Sequence, residues 1–434
     1  MTATPDAGTG GEPGGGDGGG GGTGTTLVQL TVLSTAFDGQ PDTGAIAVFQ
    51  DPSGATIAGG LVDAAGHAQA DLPAGGSITV IRVVDSSDTE RDVAMTTIRG
   101  VRPGDPITVG TTRSPAYYTG GSSTMTASFT PIGANYSYAF YTACGGTGGS
   151  GGTTQLAFID GCHGATFDLL AVATSTTDPP DVRYVYQTDL AYLANGSVTV
   201  PNTWTEASTF TATLNNVPAN LGDLELTHTT LLGKIGAAPI TAGVTAPSPG
   251  VVAAITSYPP GVGAGAIAAL ALHDNNASGF QTLEVRTPAV AATLGIDLAQ
   301  QALPWLVGAP VGTLTGASWD QLEGGTPDVR LVTWNGHWTD GARTVFVNWT
   351  LEDGEHATSV TLPALPAMYA AYDPGKAAGV VVGRPSVLYL DYDALDGYDA
   401  ARRYGPNLGD SLTDLGVLTD RPLVRRLSRT PLTR

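Results

Sequence analysis

Apolar and polar positions alternate with a period of two in many short runs, the pattern of half-buried β-strands. Residues 27–33 (LVQLTVL) place Val28, Leu30 and Val32 on one face, and residues 343–351 (RTVFVNWTL) do the same with Val345, Val347, Trp349 and Leu351. Residues 44–50 (GAIAVFQ), 77–84 (SITVIRVV) and 386–392 (SVLYLDY) add further strands. The runs are cut by turn signals such as Asp38-Gly39-Gln40-Pro41, Asp51-Pro52-Ser53-Gly54 and Asp63-Ala64-Ala65-Gly66, in which Gly, Pro and Asp supply turn geometry. Further strands are expected near Thr124–Thr130, Tyr136–Tyr141, Gln155–Ile159, Thr166–Ala173, Val182–Ala191 and Thr209–Leu214. Short strands at this spacing predict an all-β chain of tandem β-sandwiches. One stretch reads differently. Between Pro288 and Pro304, Val290, Leu294 and Leu298 recur every fourth residue. That suits a helix, although Gly295 weakens it and an extended course fits as well.

These breaks divide the chain into a tail (1–25), a first sandwich (26–112), a second unit (113–218), a β-rich stretch (219–304) and a C-terminal sandwich (305–434). Whether 219–304 stands alone or completes the second unit stays open, because Pro247, Pro249, Pro259 and Pro260 interrupt its pattern. At 434 residues the chain has room for several cores. Its formal charge of −20 argues against nucleic acid as main partner, since phosphate binding wants a basic surface. Nor is there an apolar run of the ~18 residues a membrane helix needs. Lys234 and Lys376 are the only lysines; the Arg, Ala and Gly bias resembles proteins of high-GC bacteria.

The stretch DGQPDTGAIAVFQDPSGATIAGGLVDAAGHAQADLPAGGSITVIRV carries Gly39, Pro41, Gly44, Ala45 and Val48, then Asp63 and Gly66, then Leu72, Pro73 and Gly75. It resembles a carboxypeptidase regulatory-like domain, a transthyretin-like or Ig-like sandwich. The resemblance implies a non-catalytic spacer or interaction module. Residues 1–24 are half glycine, with three acids and no base, a composition expected to remain a flexible coil. The leader resembles the spacer after the lipidated cysteine of bacterial surface lipoproteins, which implies a lipid anchor upstream of this segment.

Cys144 and Cys162 lie 18 positions apart around the glycine-rich run Gly145–Gly152. A disulfide is the expected state and would indicate an oxidising compartment; free thiols or a metal site with His163 are the alternatives. Gly409–Gly416 (GDSLTDLG) resembles the nucleophile block of GDSL esterases, but only 23 residues follow Ser411 and none is His. The D-x-x-H of Asp160–His163 lies upstream, so a permuted triad would be needed, and the segment reads as a turn with capping residues. Asp391–Asp399 clusters four aspartates around Gly397, yet its spacing departs from an EF-hand loop; loose calcium binding there is left open. No catalytic residue, cofactor or metal is assigned. Trp334 and Trp338 flank an Asn335-Gly336 pair that reads as a hairpin turn, which would leave Trp338 a partly exposed ring able to contact a glycan or protein. The expectation is a non-catalytic structural or interaction protein, secreted or tethered at a bacterial surface. A carbohydrate-binding surface protein is the alternative, and an enzyme with an unrecognised site is the third reading.

Overall fold

A computed structural model describes residues 27–35, 39–110, 121–159, 162–177, 180–217, 219, 221–232, 237–245, 250–263, 265–274, 280–287, 292–354, 356–392, 395, 397–404 and 424–429. Strand accounts for 62% of the chain and helix for 5%, so the fold class is all-β. The expectations for the leader and for Ser411 fall outside the described residues.

The first unit holds β1 (Leu27–Val32), β2 (Ile46–Gln50), β3 (Thr56–Leu61), β4 (His67–Asp71), β5 (Gly76–Asp85), β6 (Glu90–Val101) and β7 (Pro106–Val109). The sheet β4-β1-β7 faces the strands β3-β2-β5-β6, and Val28, Leu30, Phe49, Ile78 and Val80 fill the space between. Ile78, Thr79, Val80 and Ile81 are buried in an unbroken row, as in a strand covered on both faces. The second face has another destination: Val48, Ile81, Val93 and Met95 belong to the core of the last unit.

The second unit contains β8 (Ser122–Ser128), β9 (Tyr136–Thr142), β10 (Gly145–Gly149), β11 (Thr153–Ile159), β12 (Thr166–Ser175), β13 (Val182–Ala191), β14 (Ser197–Thr199) and β15 (Thr205–Glu206). The glycine-rich run is itself an edge strand, β10, paired with β9. A Cβ on Gly146 would lie 2.5 Å from the Tyr141 ring, and one on Gly149 2.5 Å from the Phe140 ring. Glycine there lets aromatic rings lie flat across the edge, an arrangement that shields a bare strand.

The third unit runs through β16 (Ser208–Val217), β17 (Leu221–Leu231), β18 (Ala237–Thr245), β19 (Gly250–Tyr258), β20 (Gly265–Asp274), β21 (Phe280–Thr287) and β22 (Thr293–Asp297). It begins at Ser208, because β16 pairs with β19 and β22 and not with strands of the second unit. The four-residue spacing around 288–304 does not yield a long helix. Thr293–Asp297 is a strand and only α1 (Leu298–Gln301) is helical, capped by the Asp297 side chain on the Ala299 N–H. The strand pairing of Gly295 with Thr213 of β16 overrides the helical spacing.

The last unit comprises β23 (Leu306–Thr313), β24 (Gly316–Gln321), β25 (Val329–Asp340), β26 (Arg343–Asp353), β27 (Ser359–Thr361), a 3-10 turn (Ala367–Tyr372), β28 (Val381–Val382), β29 (Ser386–Tyr392), α2 (Gly397–Tyr404) and β30 (Val424–Arg429). The units are not separate beads. β26 pairs in parallel with β6 from Thr344↔Glu90 to Glu352↔Ile98, and β30 pairs with both β21 and β29. Third, last and first units therefore share a 13-stranded sheet. The second unit lies outside that sheet; Leu170, Val172 and Val182 pack with Ile240 and Val262 of the third.

Candidate functional site

Trp334 and Trp338 do not form a surface platform. Residues 329–340 are one uninterrupted strand, so Asn335-Gly336 is not a turn; Asn335 pairs with Asn348 and Gly336 with Val347 on β26. The reversal comes at Gly341, which has φ +62°. Trp334 is 0% and Trp338 4% exposed, both in the core with Trp319 and Trp349. Gly336 is required for another reason: a Cβ there would meet the Trp334 indole at 2.5 Å. The expected exposed ring is thus corrected by the strand's straight course, which aims every second side chain inward.

Cys144 and Cys162 form a disulfide with Cα atoms 5.2 Å apart. It joins the β9–β10 hairpin to the end of β11, tying the two sheets of the second unit together. Among the described residues no group of three His, Cys, Asp or Glu side chains could hold a metal ion. In the acidic stretch from Asp391, the backbone is organised by Asp328, whose carboxylate accepts from Tyr392 N (2.8 Å) and Gly397 N (3.0 Å).

A cluster of buried and partly buried ion pairs lies where the first and last units meet. The end of β6, the turn before β7, the end of β26 and the start of α2 converge on a cavity of about 410 Å³. It is lined by Arg99, Arg102, Asp353, Gly354, Tyr398 and Asp399, with Gly100 and Gly397. Local sequence shapes each wall. Gly100 and Gly104 take left-handed φ values of +65° and +83°, and Pro103-Gly104 is the pairing a type II turn needs. That turn is held by Asp105 N on the Arg102 carbonyl at 3.0 Å. Gly354 has no room for a side chain, since its Cβ would lie 2.5 Å from that of Tyr398.

Four arginines tie this corner together. Arg330 is fully buried and grips Asp353 with both forks, Nε–Oδ1 at 2.8 Å and Nη2–Oδ2 at 2.7 Å, and it sits over the Trp319 ring. Arg402 of α2 crosses to the first unit, donating to the Gly100 carbonyl at 2.7 Å and to Asp105 at 2.5 Å. Arg102 pairs with Asp399, and Arg99 lies 3.8 Å from Asp353. The Tyr398 hydroxyl donates to the Arg99 and Glu352 carbonyls at 3.1 and 3.2 Å, bridging the two parallel strands at their end. Burial pushes the Tyr398 phenol well above its ordinary range. Burial likewise raises the Glu352 carboxyl to about 7, with Arg402 opposing and Asp353 adding to the rise.

Chemically this is a polar, ion-paired joint with compensated charge. Sequence reasoning did not single out Arg99, Arg102, Glu352, Tyr398 or Arg402. The available signal was charge inside otherwise apolar strands, such as Glu352-Asp353 after VFVNWTL, in a chain with only 13% charged residues.

No family model and no curated protein matches the chain. Among solved structures it is similar to the Bacillus anthracis TIE protein, at 11% identity and TM-score 0.14 over 62% of this chain and 49% of that one. It is also similar to a Ca2+-stabilized adhesin that helps an Antarctic bacterium reach out and bind ice, at 11% identity and TM-score 0.12 over 86% and 96%. The chain thus spans about half the length of the first and nearly all of the second. Likeness at these scores carries no argument about this chain.

Proposed function

We propose that this chain is a non-catalytic structural or interaction protein of a bacterial cell surface, its sandwiches fused into a stiff scaffold. The observation that carries the reading is the continuous sheet through three units, with β6 and β26 hydrogen-bonded along nine registered pairs. A scaffold of this kind resists bending because relative motion of the units would break main-chain hydrogen bonds and not merely slide a surface. The Cys144–Cys162 disulfide supports an oxidising location, and no described helix is long and apolar enough to cross a membrane. In this reading the first unit is the carboxypeptidase regulatory-like module, used as a spacer, and the glycine-rich leader tethers the scaffold to a lipid anchor. The glycan-binding alternative loses its support, because both rings it relied on are buried.

The test is labelling of intact cells that express the full-length precursor with a C-terminal epitope. Antibody should stain unpermeabilised cells, and external protease should remove the signal. Staining that appears only after lysis overturns the surface assignment.

A further inference from the structure

On the cavity side of the corner between the first and last units, the ion pairs leave one arginine over. Arg330 is committed to Asp353, and Arg402 to Asp105. Asp399 is held from both sides, by Arg102 and Arg402. Arg99 has no carboxylate of its own: its Nη1 lies 3.8 Å from an Asp353 oxygen that already accepts from Arg330 at 2.7 Å. Its Nη2 donates to the Thr361 carbonyl, and among the described residues its Nε and Nη1 reach no acceptor. Glu352 balances the joint as a whole, but neighbours along a strand point to opposite faces, so its side chain leaves β26 on the other side from Asp353. The Arg99 and Arg102 side chains keep 25% and 55% of their surface open, and both line the cavity of about 410 Å³. We propose that this cavity binds a small molecule carrying a single carboxylate, received by Arg99 with Arg102 beside it.

The ligand class follows from charge, geometry and the walls. A guanidinium presents paired N–H groups in one plane, which match the two oxygens of a carboxylate. One uncompensated positive charge matches a monoanion, whereas a phosphate dianion would leave excess negative charge beside Asp353 and Asp399. The volume falls within the range of small-molecule sites, more than a bare ion fills. Gly100, Gly354 and Gly397 line the cavity together with Arg99, Arg102, Asp353, Tyr398 and Asp399, and no aliphatic side chain is among them. Such walls suit a hydroxylated or amide-bearing body and not a hydrocarbon chain. Arg99 is also fixed before any ligand arrives, since the Tyr398 hydroxyl holds its carbonyl at 3.1 Å, which lowers the ordering cost of binding. The formal charge of −20 repels anions from the rest of the body, so saturable uptake of an anion reports on a local site.

The experiment is isothermal titration calorimetry on the full chain with glucuronate, N-acetylglycine and inorganic phosphate, and with glucose as the uncharged reference. Glucuronate and N-acetylglycine share the carboxylate and differ in the body, so the tighter of the two tells a hydroxylated ligand from an amide-bearing one. At least one of them should bind saturably and more tightly than phosphate, and glucose should not bind. Arg99→Met keeps the stem without the fork and should weaken binding about tenfold or more, at unchanged near-ultraviolet dichroism. Arg99→Lys keeps the charge and the reach to Thr361 but not the planar fork; it should weaken binding as well and serves if the methionine variant fails to fold. Arg91→Met, at the far end of β6 where Arg91 pairs with Asp85, should bind like the wild type. No saturable binding of either carboxylate by the wild type up to ~10 mM overturns the proposal, whatever the variants do. So does tighter binding of phosphate, equal binding of glucose, full affinity in the Arg99 variants, or loss of binding in Arg91→Met.

Discussion

Gln281 is fully buried on β21, and both ends of its amide are committed to one residue. Its Nε2 donates to the Leu303 carbonyl at 2.7 Å, and its Oε1 accepts from the Leu303 N–H at 2.9 Å. The side chain thereby replaces the strand partner that this linking segment lacks, and it holds Leu303 in the last unit's core. Gln281→Leu should cost about 2–4 kcal/mol, because two buried backbone groups are left unpaired; a shifted urea midpoint at unchanged slope would show it. His228 makes a second residue-scale case. It is 1% exposed between Phe210 and Tyr258, and burial lowers it to about 4. In the unfolded chain it titrates near 6.5. Its contribution is complete above about 6.5 and is lost as pH falls toward 4, because the unfolded state takes up the proton first. His228→Gln should flatten the stability profile of the third unit over that window, measured by thermal melts between pH 4 and 7.

Among the elements, the β9–β10 hairpin depends most on its covalent tie. β10 is an edge strand of Gly145, Gly146, Thr147, Gly148 and Gly149, with little side chain of its own to bury. Glycine loses more freedom on ordering than other residues. The disulfide and the two rings above the strand offset that cost. The Cys144→Ser, Cys162→Ser double variant should lose about 3 kcal/mol, with exchange protection falling first in β10 and the end of β11. Unchanged protection in β10 would mean that the aromatic cover suffices. β25 makes the converse point. Its Asn335-Gly336 pair has the letters of a turn, yet the paired strand β26 holds it straight. Trp334→Ala should cost about 3–5 kcal/mol, measured by chemical denaturation.

At the scale of the molecule, the first and last units are one folding body. Val48, Ile81, Val93 and Met95 of the first unit share a core with Trp334, Trp349 and Tyr389 of the last. Removing residues 1–110 would strip that cover and leave β26 as a bare, apolar edge, a template for aggregation. Such a chain should lose its near-ultraviolet tryptophan dichroism and its cooperative melt, while the second unit keeps its disulfide. Retention of the full tryptophan signal would show that the two units fold independently. The buried Arg330–Asp353 pair limits how the corner can change, since removing one partner of such a pair costs about 3–5 kcal/mol.

Local physics made part of this legible in the sequence. Period-two alternation, Gly and Pro turns and the lone cysteine pair act over neighbouring residues, so the all-β class, many strands and the disulfide follow from them. The run Ile78-Thr79-Val80-Ile81 is buried on both faces, although Thr79 gives it an alternating look in the sequence. Which edge meets which was not legible, because main-chain N–H and C=O groups carry no residue label, and β6 finds β26 across some 250 positions of sequence. The same long-range pairing decided that Trp338 faces inward. It also brought Tyr398 and Arg402 of α2 against Arg99, Gly100 and Glu352 at one corner, contacts that no local sequence pattern marks.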